Sequence, residues 1–149
     1  MMKTDFIAHI LDSYLGDGFI MVCPVNMLDL DKNGIYVVNT DCGKGIHWVV
    51  LYVKDNTVEF FDSFGRHPKD VLNGDLFMQC IGNKRLVVTS KNVQHPKSYV
   101  CGWYCLAYAM FRVKFSLHKL YQLFSDNQCR NDAVVVYIVK KLFVNKHRK

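Results

Sequence analysis

A cysteine at the start of a predicted helix could serve as a nucleophile. Cys101 follows a polar segment and opens an apolar stretch that is typical of a buried helix. The partial positive charge of a helix start favours a thiolate, and the N–H groups there are placed to stabilise a developing oxyanion. Gly102 follows directly and would let a substrate backbone come close. These residue types predict a cysteine nucleophile with its oxyanion donors.

A histidine and an aspartate flank a predicted hairpin. His47 opens the apolar run HWVVLYV (47–53), after the glycine-containing turn 42–45, and Asp62 follows the run TVEFF (57–61). Residues 54–56 are turn-forming, so the two runs are expected to pair. Pairing would bring the carboxylate beside the imidazole at the open end. That is the arrangement of a general base and the residue that orients it.

Each of these residues has a structural explanation when it is taken alone. A cysteine in an apolar helix usually packs, as we expect of Cys105 one turn after Cys101. A lone histidine on a strand is more often structural, and a lone aspartate at a strand end is usually a turn residue. Asn39 either hydrogen-bonds the backbone of the site or ends its own strand. The combination of Cys101, His47 and Asp62 favours catalysis.

The remaining pattern predicts an α+β fold, with a small, mostly antiparallel central sheet flanked by helices. A buried central helix is expected over 100–111, with the candidate nucleophile Cys101 at its start. Further strands are predicted over 34–39 and 85–89, and further helices over 117–124 and 131–143. A first helix is expected to be capped by Thr4 and ended by Gly16 and Gly18. Its apolar face comprises Phe6, Ile7, Ile10, Leu11 and Tyr14.

Length and composition limit the classes of protein to which the chain could belong. The 149 residues predict a single domain over 1–149 with a basic tail at about 144–149. Six cysteines form no CxxC pair and no zinc motif, and no signal peptide or bilayer-spanning run is found. We therefore expect an intracellular protein with reduced thiols. The formal net charge of +6 permits either a solvated basic surface or contact with a polyanion such as DNA.

The order of these motifs resembles the adenain-type proteases of adenoviruses, related viruses and large DNA transposons. Their core recurs in the SUMO-specific proteases. The matching segments are VVNTDCGKGIHWVVLYV (37–53), EFFDSFG (59–65) and QHPKSYVCGWYCLAY (94–108). The interval of seven residues from Gln94 to Cys101 matches the adenain pattern, whereas the cellular enzymes are one residue shorter.

The resemblance implies a role for each matching residue. Cys101 would be the nucleophile, His47 the base and then the acid, and Asp62 the residue that orients His47. Gln94 would donate to the oxyanion together with the backbone N–H of Cys101, and Trp48 would pack beside the catalytic groups.

The resemblance also implies a biological setting. Members cut viral or transposon-encoded precursors at glycine-containing sites during particle maturation, in the host nucleus or the virion, with no metal or small cofactor. Adenoviral members are stimulated by DNA and by a peptide that is disulfide-linked to a cysteine upstream of the nucleophile. Cys80 lies in roughly that region of the sequence. We expect a monomer that does not bind membranes.

Other functions remain open from the sequence. A protease for ubiquitin-like modifiers with Gly-Gly tails would use the same residues, and a catalytically silent DNA-binding protein could keep the fold. A papain-like enzyme is disfavoured because its cysteine precedes its histidine in the chain. A metal site made of Cys101, Cys105 and His95 would leave His47 and Asp62 unexplained.

Overall fold

The computed structural model describes residues 2–40 and 47–147. The predicted turn over 42–45 lies outside the described residues. Helix α1 (Thr4–Leu15) precedes strand β1 (Phe19–Pro24), and strands β2 (Gly34–Asn39), β3 (Trp48–Lys54) and β4 (Thr57–Phe61) follow. Two short helices, α2 (Pro68–Val71) and α3 (Gly74–Ile81), lead to β5 (Arg85–Thr89). The chain ends with α4 (Cys101–Arg112), α5 (Leu117–Tyr121) and α6 (Gln128–His147).

The five strands form one sheet in the order β1-β2-β3-β4-β5. The α+β fold with a central sheet between helices is confirmed. The sheet is mixed, however, where the sequence predicted a mostly antiparallel one. β2, β3 and β4 are antiparallel neighbours, but β1 pairs with β2 and β4 pairs with β5 in parallel. Parallel neighbours require a crossover connection, and α2 and α3 provide it between β4 and β5.

Strand β1 was not predicted. It lies at the edge of the sheet, and only Cys23 of its six residues is buried. Residues 19–23 (FIMVC) are continuously apolar, so periodicity does not separate a strand from a helix segment there, and the terminal proline is tolerated at a sheet edge.

The alternating side chains of β3 separate two hydrophobic clusters. Trp48 and Val50 face the cluster that contains α1, α4 and α6, and Val49 and Leu51 face the cluster that contains α3. Helix α4 packs against β3, α1 and α6, and nine of its twelve residues are buried. The predicted buried helix that begins at Cys101 is therefore present as α4. Its packing holds Cys101 next to the end of the sheet.

The terminal helices differ in detail from the sequence prediction. Thr4 is the first residue of α1 and not its cap, because Lys3 occupies the cap position and accepts the N–H groups of Phe6 and Ile7. Gly16 ends α1 as expected. Residues 144–147, expected to begin a tail, belong to α6. None of the described helices combines the length and apolar character needed to cross a bilayer.

Candidate active site

Asp62 is held rigidly where β4 ends. Its side chain is fully buried and accepts four hydrogen bonds. Oδ1 accepts from His47 Nε2 at 2.7 Å and from the N–H of Phe64 at 3.2 Å. Oδ2 accepts from Nε and N–H of Arg66 at 2.8 and 3.2 Å. The positively charged and N–H donors outweigh the opposing effect of burial and lower the pKa of Asp62, so the carboxylate is ionised at neutral pH.

His47 lies between Asp62 and Cys101. Its carbonyl accepts the N–H of Thr40 at 3.0 Å, which extends the β2–β3 pairing to the edge of the site, and its ring stacks on Phe64 with centroids 5.3 Å apart. Burial alone would lower the pKa of His47, but the hydrogen bonds to Asp62 and then to Cys101, together with their charges, raise it. Because Nε2 bonds the carboxylate, Nδ1 is the ring nitrogen left for the sulfur of Cys101.

Cys101 is the first residue of α4 and is only 5% exposed. Its hydrogen bond with His47 completes a continuous chain of contacts from Asp62 through the imidazole to the sulfur. Cys105 is fully buried one turn later, and burial raises its pKa well above the ordinary thiol value, as expected of a packing residue.

Gln94 is fully buried in the loop before α4, and its side-chain amide is held at both ends. Ser63 Oγ donates to Oε1 at 2.5 Å. Nε2 donates to the carbonyl and the hydroxyl of Ser98 at 3.1 and 3.0 Å. The carbonyl of Ser63 also accepts the N–H groups of Val93 and Gln94 at 2.9 and 3.1 Å. Ser63 thus links the Asp62 turn to the Gln94 loop, a connection that the sequence analysis missed.

The start of α6 also holds the Gln94 loop. Asn131 is fully buried and donates to the carbonyl of Val93 at 3.1 Å. Asp132 accepts the N–H of His95 at 3.3 Å and the hydroxyl of Tyr104 at 2.7 Å. The backbone is therefore fixed on both sides of Gln94. The sequence carried no signal for these contacts, because they join segments more than thirty residues apart.

The conformation and surroundings of Gly65 explain why a glycine ends the DSFG sequence (62–65). The N–H of Gly65 bonds the carbonyl of Asp62 at 2.8 Å, and its φ is +73°. A β-carbon on Gly65 would meet the backbone of residues 90–92 at 2.7–2.8 Å. The turn after Asp62 and the segment leading to Gln94 therefore pack together only because residue 65 has no side chain.

The three supporting residues named from the sequence lie beside this chain of contacts. Trp48 is 1% exposed, and Asn39 pairs with it across β2 and β3. Gly102 is buried, and a β-carbon built on it would lie 2.7 Å from Sδ of Met2. The space expected to admit a substrate backbone at Gly102 is therefore occupied by the side chain of Met2.

The other candidate groups are dispersed. Among the described residues, no cluster of three or more histidine, cysteine or acidic side chains could hold a metal ion. Cys80 lies on α3 and donates to the carbonyl of Leu28 at 3.3 Å, in the cluster on the other face of the sheet. No disulfide joins the five described cysteines.

Comparison with known proteins addresses the fold. No family model matches the sequence, and no curated protein matches it. The structure is similar to the crystal structure of the ASFV pS273R protease, with a TM-score of 0.54 and 18% sequence identity. At this level of sequence identity the similarity shows a shared fold. It covers 91% of this chain but only 66% of that protease.

Proposed function

We propose that the chain is a cysteine endopeptidase in which Cys101 is the nucleophile. The observation that carries the proposal is the chain of hydrogen bonds from the buried carboxylate of Asp62 through His47 to Cys101 at the start of α4. A structural histidine needs neither a buried carboxylate on one nitrogen nor a thiol at a helix start on the other. The SUMO-protease-like fold supports the same function.

The proposed reaction is acyl transfer to Cys101. The thiol proton passes to Nδ1 of His47, and Asp62 stabilises the resulting imidazolium. The thiolate attacks the carbonyl carbon of the scissile peptide bond, and the imidazolium returns the proton to the leaving amine as the C–N bond breaks. Water, deprotonated by His47, then hydrolyses the thioester and restores the thiol.

Gln94 is proposed as an oxyanion donor together with the backbone N–H of Cys101. An amide nitrogen carries two protons. Nε2 donates to the carbonyl and the hydroxyl of Ser98, so one of its two protons has to turn from Ser98 to the substrate oxyanion when substrate binds. With Oε1 fixed by Ser63, the amide is oriented before substrate binds.

The proposed substrates are polypeptides cut at glycine-containing sites, first of all viral or transposon-encoded precursors processed during particle maturation. The adenain-type resemblance of the three motif segments supports this choice. In that role the enzyme acts as a monomer in the host nucleus or the virion, away from membranes and with no metal or small cofactor. DNA and a short peptide are the proposed stimulants.

Cleavage of fluorogenic peptides tests the proposal. A panel containing Gly-X-Gly and Gly-Gly-X sequences is incubated under reducing conditions, with and without duplex DNA, with wild type and Cys101→Ala. Cys129→Ala is the matched control, since Cys129 is an exposed thiol on α6. Turnover by wild type and the control, lost in Cys101→Ala, is expected. Turnover that persists in Cys101→Ala, or none under any condition, contradicts the proposal.

A deconjugating protease for ubiquitin-like modifiers is the second candidate, because the fold is SUMO-protease-like. The same assay includes a modifier with a Gly-Gly tail extended by a fluorophore. Preference for the modifier over short peptides would favour this candidate. Binding of duplex DNA without any thiol-dependent cleavage would instead favour a catalytically silent DNA-binding protein.

A further inference from the structure

Met2 contacts the residues that follow both His47 and Cys101. Its carbonyl accepts the indole N–H of Trp48 at 3.3 Å. Its side chain packs on Gly102, where a β-carbon would lie 2.7, 3.0 and 3.4 Å from Sδ, Cβ and Cγ of Met2. A residue that precedes α1 therefore contacts the chain neighbours of both His47 and Cys101, and Cys101 is only 5% exposed.

Two cavities lie on either side of this contact. One, of about 300 Å³, is lined by Met2, Phe6, Tyr99 and Trp103. The other, of about 180 Å³, is lined in part by Thr4, Asn39 and Trp48. Met2 lines the first cavity and its carbonyl bonds Trp48, which lines the second, so Met2 links the two cavities.

We propose that the two cavities and the surface of Gly102 between them form the substrate-binding channel, and that Met2 occupies this channel until a substrate polypeptide displaces it. The proposal rests on the proposed function. The carbonyl of Met2 is bound by Trp48 and its side chain lines the apolar cavity, so Met2 has the chemistry of the ligand it excludes. A substrate carbonyl replaces that of Met2 on the Trp48 N–H, and an apolar substrate side chain enters the cavity formed by Phe6, Tyr99 and Trp103.

Alkylation of Cys101 measures the occlusion without requiring peptidase activity. Wild type and Met2→Ala are treated with iodoacetamide, and modification is located at Cys101 by fragment-ion mass spectrometry. Met78→Ala is the matched control, because Met78 is an exposed methionine on α3, across the sheet. We expect Met2→Ala to raise the alkylation rate about 5- to 30-fold and the control to leave it unchanged. An unchanged rate in Met2→Ala overturns the proposal.

Gly102→Ala tests separately whether Met2 covers Cys101 and whether Gly102 lines the substrate channel. The new methyl group would push the flexible Met2 side chain away, so alkylation of Cys101 accelerates while cleavage of glycine peptides falls. In Met2→Ala the KM for such peptides falls and kcat is retained, because a competing intramolecular ligand is removed. Faster alkylation with no cleavage by any variant keeps Met2 as the cover but refutes the protease. Faster cleavage by Gly102→Ala refutes the channel alone.

Discussion

His47 and Asp62 are hydrogen-bonded at 2.7 Å although they do not face each other across the hairpin. The register that pairs Val50 with Phe61, when continued, sets His47 opposite Phe64, and those two rings stack. Asp62 leaves the strand in the turn closed by Gly65, which aims its carboxylate at the imidazole. The turn, more than the strand pairing, therefore determines how this pair meets.

Replacing the carboxylate of Asp62 should show how much the orientation and charge of His47 contribute to catalysis. Asp62→Asn is expected to lower kcat by about 10³- to 10⁴-fold, because the amide neither fixes the required tautomer of His47 nor stabilises its cation. The pKa of His47, raised in the wild type, should fall. NMR titration of the imidazole resonances measures it, with His47→Gln assigning the signal. An unchanged His47 pKa would show that Asp62 does not control the imidazole.

The same pair should make stability depend on pH. A raised His47 pKa contributes stability that is complete below its unfolded value of 6.5 and is lost as pH rises through the folded pKa. The lowered Asp62 pKa contributes stability that is complete above its unfolded value of 3.8 and is lost as pH falls through the folded pKa. The pair is therefore most stabilising between these two values. Urea unfolding should show a larger deficit for Asp62→Asn at about pH 5.5 than at about pH 9.

A double variant is the control for this dependence. In a His47→Gln background, the deficit caused by Asp62→Asn should become the same at both pH values. What remains there is the loss of the contacts that Asp62 makes with Phe64 and Arg66. If the stability deficit of Asp62→Asn still differs between the two pH values in that background, another group causes the pH dependence.

Several strands and the central helix could be read from the sequence, because their signals are local. The predicted strands over 34–39, 57–61 and 85–89 coincide with β2, β4 and β5. The parallel pairing of the outer strands was not accessible, since it depends on how the crossovers pack. The roles given to Cys101, His47, Asp62 and Gln94 stay predictions, although the structure brings the first three into contact.

The contacts made by Met2, Ser63 and Asn131 lay beyond sequence reasoning for a physical reason. Each joins segments separated by at least thirty residues through an ordinary polar or apolar group. No periodicity or motif marks such a partner, because any of many serines or asparagines could fill the place.

Removing the proposed oxyanion donor should lower kcat without affecting the thiol. Gln94→Ala is expected to reduce kcat by about 10²- to 10³-fold, with little change in KM and unchanged alkylation of Cys101. Ser63→Ala should give a smaller loss of the same kind, because Ser63 acts by orienting the amide of Gln94. In the Gln94→Ala background, Ser63→Ala should then have no further effect on kcat. Additive losses would show that Ser63 acts independently of Gln94.

Alanine substitutions at two glycines with similar backbone conformations distinguish backbone strain from collision of the new β-carbon with a neighbouring segment. Gly65 and Gly82 have φ values of +73° and +59°, so alanine is strained at both. Only at Gly65 would the β-carbon collide with backbone, at 2.7 Å from the carbonyl oxygen of Ser90, whereas nothing lies within 4 Å at Gly82.

Gly82→Ala should therefore cost about 1 kcal/mol of unfolding free energy and leave kcat unchanged. Gly65→Ala should cost more and also lower kcat, because the displaced backbone leads to Gln94 and the displaced turn carries Asp62. Chemical denaturation and peptide turnover of the two variants measure both effects. Equal stability losses with unchanged turnover would show that the contact between the Asp62 turn and residues 90–92 does not position the site.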